Sequence, residues 1–415
     1  MKKEQDFVIM YGAGTFAEKN IEQWKRKWNI LCFADINSQK WGDHIGEIEI
    51  RALDEAIKIY PCAKIIISTD SKFKEIYSYL MQKGICKDKI SFVVPREKRV
   101  GCRWLGKCVQ LDGGKIMKTC CFEKAYKQEL HDDLKKEYEI FSKKVGEINR
   151  RLKNHQPTSC DGCCMLEENW WEIEPKVEVI SLASGFKDDI CNAKCIYCDA
   201  RHLLQTTYDD CNISVIDACR FFSDDGRFDN VSIVINNGEF VLNKHRIKIL
   251  EICERKNWKV TLFTNGIFFS NDMFEYMKNN EVTLICSVDA GTRKTFLNVK
   301  GVDKFEKVIK NLEKYSERGD VELKYILLKD VNDNFEDADG FVEIAKKFAH
   351  KVILSRDLFF RNDEFTMNER KFYTRVVKKI GFGDAIDIEF YEDCMPDKEI
   401  TWIRNFRRNS KKYLS

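Results

Sequence analysis

Apolar residues gather along this chain in two rhythms: short, nearly continuous runs, and longer stretches in which they recur every three or four positions. The first is the rhythm of strands buried on both faces, the second that of helices with one apolar face. Near the N-terminus, FVIMYG (7–12), ILCFADIN (30–37) and KIIISTD (64–70) read as strands with amphipathic segments between them. After the last of them, SKFKEIYSYLMQKG reads as a helix stopping at Gly84. After Pro175 the alternation becomes regular: VEVISLA, VSIVIN, KVTLFT, TLICSV, VELKYILL and KVILSR are separated by helical segments. The stretch between follows neither rhythm. Its middle, roughly 122–153, is a charged helical run with Gly146 as its one glycine and no proline.

This pattern predicts an α/β chain with a small doubly wound, Rossmann-like domain over 1–96 and a Cys-rich metal-binding segment over 97–175. A partial (β/α)6 TIM barrel over 176–390 and a C-terminal tail over 391–415 complete it. A chain of 415 residues is expected to divide in this way, because single cores stop growing near ~250–300 residues. Lys and Arg (70) nearly balance Asp and Glu (67), which excludes a broad basic field for nucleic acid. With no apolar run of the ~18–20 residues a membrane span needs, a cytoplasmic protein is expected.

Cysteine changes the picture most. Eighteen cysteines without a secretory leader point to reduced thiolates that ligate metal. Cys32, Cys62, Cys86, Cys211, Cys219, Cys253, Cys286 and Cys394 are scattered singly, while ten others lie between 102 and 198. Cys191, Cys195 and Cys198 form C-x3-C-x2-C directly after the first barrel strand. Three thiolates suit an iron–sulfur cluster with one iron left open; a structural zinc with His202 as fourth ligand is the alternative.

The segment DICNAKCIYC, with an aromatic before its last cysteine, resembles the radical S-adenosylmethionine superfamily, and the resemblance runs through 176–357. It implies a 4Fe-4S cluster on Cys191, Cys195 and Cys198 whose open iron binds the amino and carboxylate groups of S-adenosylmethionine. One-electron reduction would then release a 5′-deoxyadenosyl radical that takes hydrogen from a substrate. A reductase, or a donor of the flavodoxin or ferredoxin type, is the implied electron source.

The same resemblance places Tyr197 near the adenine, although an ordinary core aromatic fits its residue type equally well. Gly238 and Glu239, in NNGEF, take the place of a Gly-Gly-Glu-Pro motif that meets the methionine ammonium, with Asn237 and Phe240 departing from it. Thr264 and Asn265 after the third strand, and Ser287 and Asp289 after the fourth, resemble positions that support the ribose and methionyl groups. Asn332 and Arg356, after the fifth and sixth strands, are further cofactor candidates, against a solvated turn and a surface ion pair. Tyr325, Asp357, Cys286 and Cys394 stay outside the catalytic set, and no catalytic acid or base is assigned.

A second constellation comprises Cys108, Cys120 and Cys121, then Cys160, Cys163 and Cys164. LDGGKIMKTCC followed by a helix and SCDGC resembles the auxiliary-cluster modules called SPASM or twitch domains, here upstream of the barrel. The expected ligands are Cys108, Cys120, Cys160 and Cys163, with Cys102, Cys121 and Cys164 as substitutes, around a second iron–sulfur cluster or a structural zinc.

At the N-terminus, Gly12, Gly14 and Ala17 with Asp35 match G-x-G-x-x-A and its acidic partner, the pattern of a nucleotide-binding turn. A turn needed only for strand–helix packing is the alternative. YGAGTFAEKN and FADINSQKWGDHIGEIEIRALDEA also resemble small Rossmann-like domains attached to sugar-modifying and glycan-assembly enzymes. The expected activity is hydrogen abstraction from a carbohydrate, nucleotide-sugar or related small or glycan-linked molecule, leading to dehydrogenation, epimerisation or dehydration. A peptide maturase and a nonenzymatic iron–sulfur redox sensor are the alternatives.

Overall fold

The computed structural model describes residues 6–69, 72–120, 126–131, 133–163, 165–198, 213–318, 321–357, 360, 363–381, 386–391, 395, 399–403 and 405–406. Cys121, Cys164, His202, Cys211 and Cys394, named above, lie outside the described residues. The chain divides into two compact units, Met1–Arg99 with Glu168–Pro175, and Val100–Glu167 with Lys176–Ser415.

The first unit runs β1 (Phe7–Tyr11), α1 (Thr15–Lys25), β2 (Asn29–Ala34), β3 (His44–Ile45), β4 (Ile48–Arg51), α2 (Leu53–Ile59), β5 (Lys64–Ile67), α3 (Phe73–Gln82) and β6 (Ile90–Phe92). Its sheet has the order β3-β4-β2-β1-β5-β6, parallel except for the β3–β4 hairpin. Strand alternation decides which helix covers which face. Val8 and Met10 pack with Ala17, Ile21 and Trp24 of α1, whereas Ile9 and Tyr11 pack with Leu53 of α2 and Phe73 and Leu80 of α3. Helices thus cover both faces of a largely parallel sheet, a doubly wound arrangement.

Next come β7 (Arg96–Gly101), β8 (Cys108–Asp112), β9 (Ile116–Lys118), β10 (Lys127–Glu129), α4 (Leu134–Lys153), β11 (Glu167–Glu172) and β12 (Val179–Ala183). β7 pairs with β11 as a separate ribbon, and Trp170 of β11 lies against Tyr77 and Phe92, with ring centroids 4.8 and 5.3 Å away. Residues 168–175 are therefore grouped with the first unit, a return that the linear division at 96 and 175 leaves out.

The second unit continues with α5 (Val215–Ser223), β13 (Ser232–Asn236), α6 (Arg246–Arg255), β14 (Lys259–Thr264), α7 (Asn271–Asn279), β15 (Val282–Ser287), α8 (Arg293–Lys300), α9 (Phe305–Ser316), β16 (Val321–Leu327), α10 (Phe335–Phe348), β17 (Lys351–Arg356), α11 (Met367–Ile380) and β18 (Asp387–Phe390). Its sheet has the order β10-β9-β8-β12-β13-β14-β15-β16-β17-β18, parallel from β8 through β18.

The six strands of the expected partial barrel are consecutive neighbours, and a parallel strand flanks them on each side. β8 comes out of the Cys-rich segment, its Val109 and Leu111 buried beside half-exposed Gln110, so that segment is built into the barrel sheet and is no separate body. β18 closes the other end with buried Ile388 and Phe390. Part of the expected tail is core as well: Met395, Ile400 and Ile403 are buried. Among the described residues no helix is long and apolar enough to cross a membrane.

Candidate metal and cofactor site

The parallel strands all end on one side, so the turns after β12, β13, β14, β15, β16 and β17 meet there. The turn after β12 carries the three-cysteine loop, which is tied down before it reaches its first thiol. Asp189 accepts hydrogen bonds from the Gly185 and Phe186 amides at 2.5 and 3.1 Å, and Asn237 donates to its other oxygen at 2.5 Å. Asp188 caps α5 through the Val215 amide at 2.9 Å and accepts from Asn243 at 3.0 Å. Two adjacent carboxylates thus fix the loop's entry to β13 and α5.

Gly238 fixes its middle. Its φ of +46° is left-handed, and a Cβ there would stand 2.6 Å from the Ile190 carbonyl oxygen, so only glycine lets the β13 turn come this close to the residue before Cys191. The next amide, Glu239 N, donates to that same carbonyl at 2.7 Å.

Glu239 is 1 % exposed and faces inward. One carboxylate oxygen accepts from Thr264 Oγ1 at 2.8 Å and the other from the Asn265 amide at 2.7 Å. Burial pushes its carboxyl up to about 7, while the Asn265 and Thr264 hydrogen bonds pull it back. Glu239 therefore shapes the turn after β14. That turn in turn reaches the cysteines: Asn265 Nδ2 lies 2.8 Å from Asn192 Oδ1 and 3.7 Å from Cys191 Sγ.

The three thiols act on one another. Cys191 is exposed as a residue, yet desolvation of its sulfur, with Glu239, Cys195 and Cys198 as negative neighbours, pushes its thiol up to about 11. A thiol so raised is protonated at neutral pH and becomes a thiolate when a metal displaces the proton. Three sulfurs on one loop, with an amide N–H directed at one of them, are a donor set suited to a cluster with one corner open.

Tyr197 and Asp289 meet directly. The Tyr197 hydroxyl donates to Asp289 Oδ2 at 2.5 Å, and Lys300 Nζ reaches the same two groups at 2.8 and 2.5 Å. Burial first, and then the Asp289 carboxylate, push the Tyr197 phenol well above its ordinary value. Burial is the largest influence on the Lys300 ammonium and works against it, but Asp289 together with Cys195 and Cys286 holds that group above its ordinary value. Sequence reasoning missed Lys300, which looks like any charged residue at the end of a helix; only its burial beside Asp289 marks it.

Residues 189–342 match the family model described as the radical SAM superfamily. They form a radical SAM domain. Two curated relatives are similar over part of their length. The GTP 3′,8-cyclase of Mannheimia succiniciproducens is 27% identical over 149 residues, 35% of this chain and 44% of that protein. The dual-specificity RNA methyltransferase RlmN of Buchnera aphidicola is 25% identical over 167 residues, 38% of this chain and 42% of that protein. The chain thus spans less than half the length of either. Among solved structures, Streptococcus suis SuiB bound to precursor peptide SuiA aligns with a TM-score of 0.42 and 15% identity, covering 63% of this chain and 56% of that one.

Two residues expected to touch the cofactor of the radical SAM domain are occupied elsewhere. Arg356 spends all five guanidinium N–H groups inside the protein, on both Glu369 oxygens and on the carbonyls of Phe360, Asp363 and Glu364. Its ion pair with Glu369 is buried, not on the surface. Asn332 is fully buried, donating to the Asp289 and Ile326 carbonyls and accepting from the Leu328 amide. It braces Asp289, whose φ is +55°. Ser287 is half-buried at the end of β15. Tyr325 and Cys286 are fully buried, and Tyr325 donates to the Asn332 carbonyl.

In the second group of cysteines, Cys102 joins three of the expected ligands. Burial first, then Cys120, Cys102 and Cys163, push the Cys160 thiol up to about 11, and Cys102 is raised by burial and by Cys120 and Cys163. Cys102, Cys120, Cys160 and Cys163 therefore face one another. Cys108 sits buried in β8, opposite Val179. Trp104, whose amide donates to Cys102 Sγ at 3.4 Å, has a buried indole N–H without a partner. Among the described residues no three His, Cys, Asp or Glu side chains converge as tightly as one metal ion requires.

In the first unit Gly12 ends β1 with φ +119° and Gly14 caps α1. Asp35 accepts from the Ala13 amide at 2.8 Å and the Asn37 amide at 2.9 Å, so one lone pair of each oxygen is committed to the turn itself.

Proposed function

We propose that this chain is a radical S-adenosylmethionine enzyme acting on a nucleotide-linked or carbohydrate-type small molecule. The observation that carries this reading is the three-thiol loop of Cys191, Cys195 and Cys198, pinned at the C-terminal ends of a parallel sheet with Asn265 directed at Cys191. Those cysteines would hold a 4Fe-4S cluster, which, when bound, supplies the electron that splits the cofactor's sulfonium C–S bond into methionine and a 5′-deoxyadenosyl radical able to take a substrate hydrogen. Around it, Gly238 permits backbone approach, Glu239 and Thr264 set the turn that presents Asn265, and Ser287 stands at the next strand end.

A second cluster on Cys102, Cys120, Cys160 and Cys163 belongs to the same proposal. Thiols that act on one another, with an orphaned Trp104 N–H close in sequence, support it, and a structural zinc on the same thiols is the alternative. The Gly12–Gly14 turn at the head of α1 supports a phosphate-bearing ligand in the first unit. The substrate class rests on that turn and on a curated relative named for GTP.

Deuterium transfer tests the substrate class. The reduced, reconstituted protein is incubated with perdeuterated nucleotide sugars, free sugars and peptides, and 5′-deoxyadenosine is analysed by mass. Deuterium arriving from a nucleotide sugar or sugar is expected. Deuterium arriving only from peptides would replace this reading with that of a peptide maturase.

A further inference from the structure

The C-terminal end of α8 holds the cysteine loop by contacts separate from the thiols. The Lys194 amide donates to the Lys300 carbonyl at 2.7 Å and the Ile196 amide to the Val299 carbonyl at 3.0 Å. Gly301 follows with φ +66°, and a Cβ there would lie 2.8 Å from the Lys194 carbonyl oxygen and from its Cβ. The loop therefore rests on helix-end carbonyls that would otherwise lack partners, at a spacing only glycine permits.

Beneath this seam lies the buried pair. The side chains of Lys300 and Asp289 are 1% and 0% exposed, and both bond the hydroxyl of Tyr197, the residue before Cys198. Asp289 cannot easily be dispensed with: its other oxygen accepts from the Ile326 amide at 2.7 Å, and Asn332 holds its carbonyl. A buried ion pair adds little net stability over an apolar substitute, whereas an uncompensated buried carboxylate costs much. The loop thus sits over a carboxylate whose charge has to be cancelled. A cluster gains negative charge on reduction, and in a poorly screened interior a bare carboxylate nearby would make that reduction harder.

We infer that Lys300 is a positioning residue for the three-cysteine loop: it fixes Tyr197 from below and cancels Asp289, keeping the reduction potential of the cluster from being driven down. This rests on the reading of Cys191, Cys195 and Cys198 as cluster ligands.

The test uses the full chain, reconstituted without oxygen. Two readouts follow the EPR signal that S-adenosylmethionine perturbs: its midpoint potential and its rate of loss to an iron chelator. Lys300→Met is expected to lower the potential and speed cluster loss about tenfold, the scale of one charge-assisted hydrogen bond. Lys300→Arg is expected to restore both in part. Asp289→Asn with Lys300→Met removes both charges, so the potential should return toward wild type while loss stays fast. Should the lysine variants fail to fold, Tyr197→Phe serves: loss accelerates and the potential stays. Wild-type potential and retention in Lys300→Met, or unchanged retention in Tyr197→Phe, would overturn the inference. Absence of any S-adenosylmethionine-sensitive signal in the wild type would instead remove the reading beneath it.

Discussion

Glu239, expected from the sequence to meet a cofactor, also shapes the turn after β14. Buried on Thr264 and Asn265, it has its carboxyl raised from 4.5 to about 7. A folded-state value above the unfolded one means that the folded protein holds the proton more tightly. This group's contribution is therefore most favourable below pH 4.5 and is lost as pH rises through 7, on the order of 3 kcal/mol in all. Urea unfolding at pH 5 and pH 7.5 should show wild type losing stability relative to Glu239→Gln between the two. A difference independent of pH would refute the shift.

Arg356 is committed more fully: its position after a strand suggests a ligand contact, while burial and five internal hydrogen bonds hold it within the fold. Arg356→Met strands Glu369 and should cost ~3–5 kcal/mol. Chemical unfolding would show that loss largely recovered when Glu369→Leu is added. No recovery would mean that the carbonyls of Phe360, Asp363 and Glu364, not Glu369, dominate.

At the scale of elements, strands buried on both faces announced themselves as unbroken apolar runs, which is why six barrel strands were readable from the sequence. β8 and β18 were not: CVQLD and DIEF are short and half polar, and only pairing with β12 and β17 makes strands of them. The cysteine motif was equally readable because its chemistry is local. What holds the motif was not, because Gly301, Lys300 and Asp189 act across sequence distance that one chain's pattern cannot reveal.

Gly238→Ala is the sharpest test at this level, since its Cβ would meet the Ile190 carbonyl at 2.6 Å. Far-ultraviolet circular dichroism should stay close to wild type, while iron bound after reconstitution falls to what the second cysteine group retains. Full iron loading in this variant would mean that the loop yields more readily than the packing indicates.

For the whole molecule, the account makes the two cysteine groups separable. Iron should remain in a Cys191/Cys195/Cys198→Ala triple variant and disappear from it when Cys102→Ala is added, but persist when Cys108→Ala is added instead. Iron analysis that gives the reverse order would return Cys108 to the ligand set and remove Cys102. Titration of the full chain with nucleotide sugars, followed by the fluorescence of Trp41, whose indole N–H donates to the Asp35 carbonyl at 2.9 Å, tests the Gly12–Gly14 turn: a saturable change is expected, and none would leave that turn to strand–helix packing.

One measurement bears on the central claim before all others: 5′-deoxyadenosine formed from S-adenosylmethionine by the anaerobically reconstituted, dithionite-reduced chain, beside the Cys191/Cys195/Cys198→Ala triple variant. The account predicts steady formation by the native protein and none above background by the variant. Formation that survives loss of the three cysteines, or none from a fully loaded native protein offered candidate substrates, would contradict it.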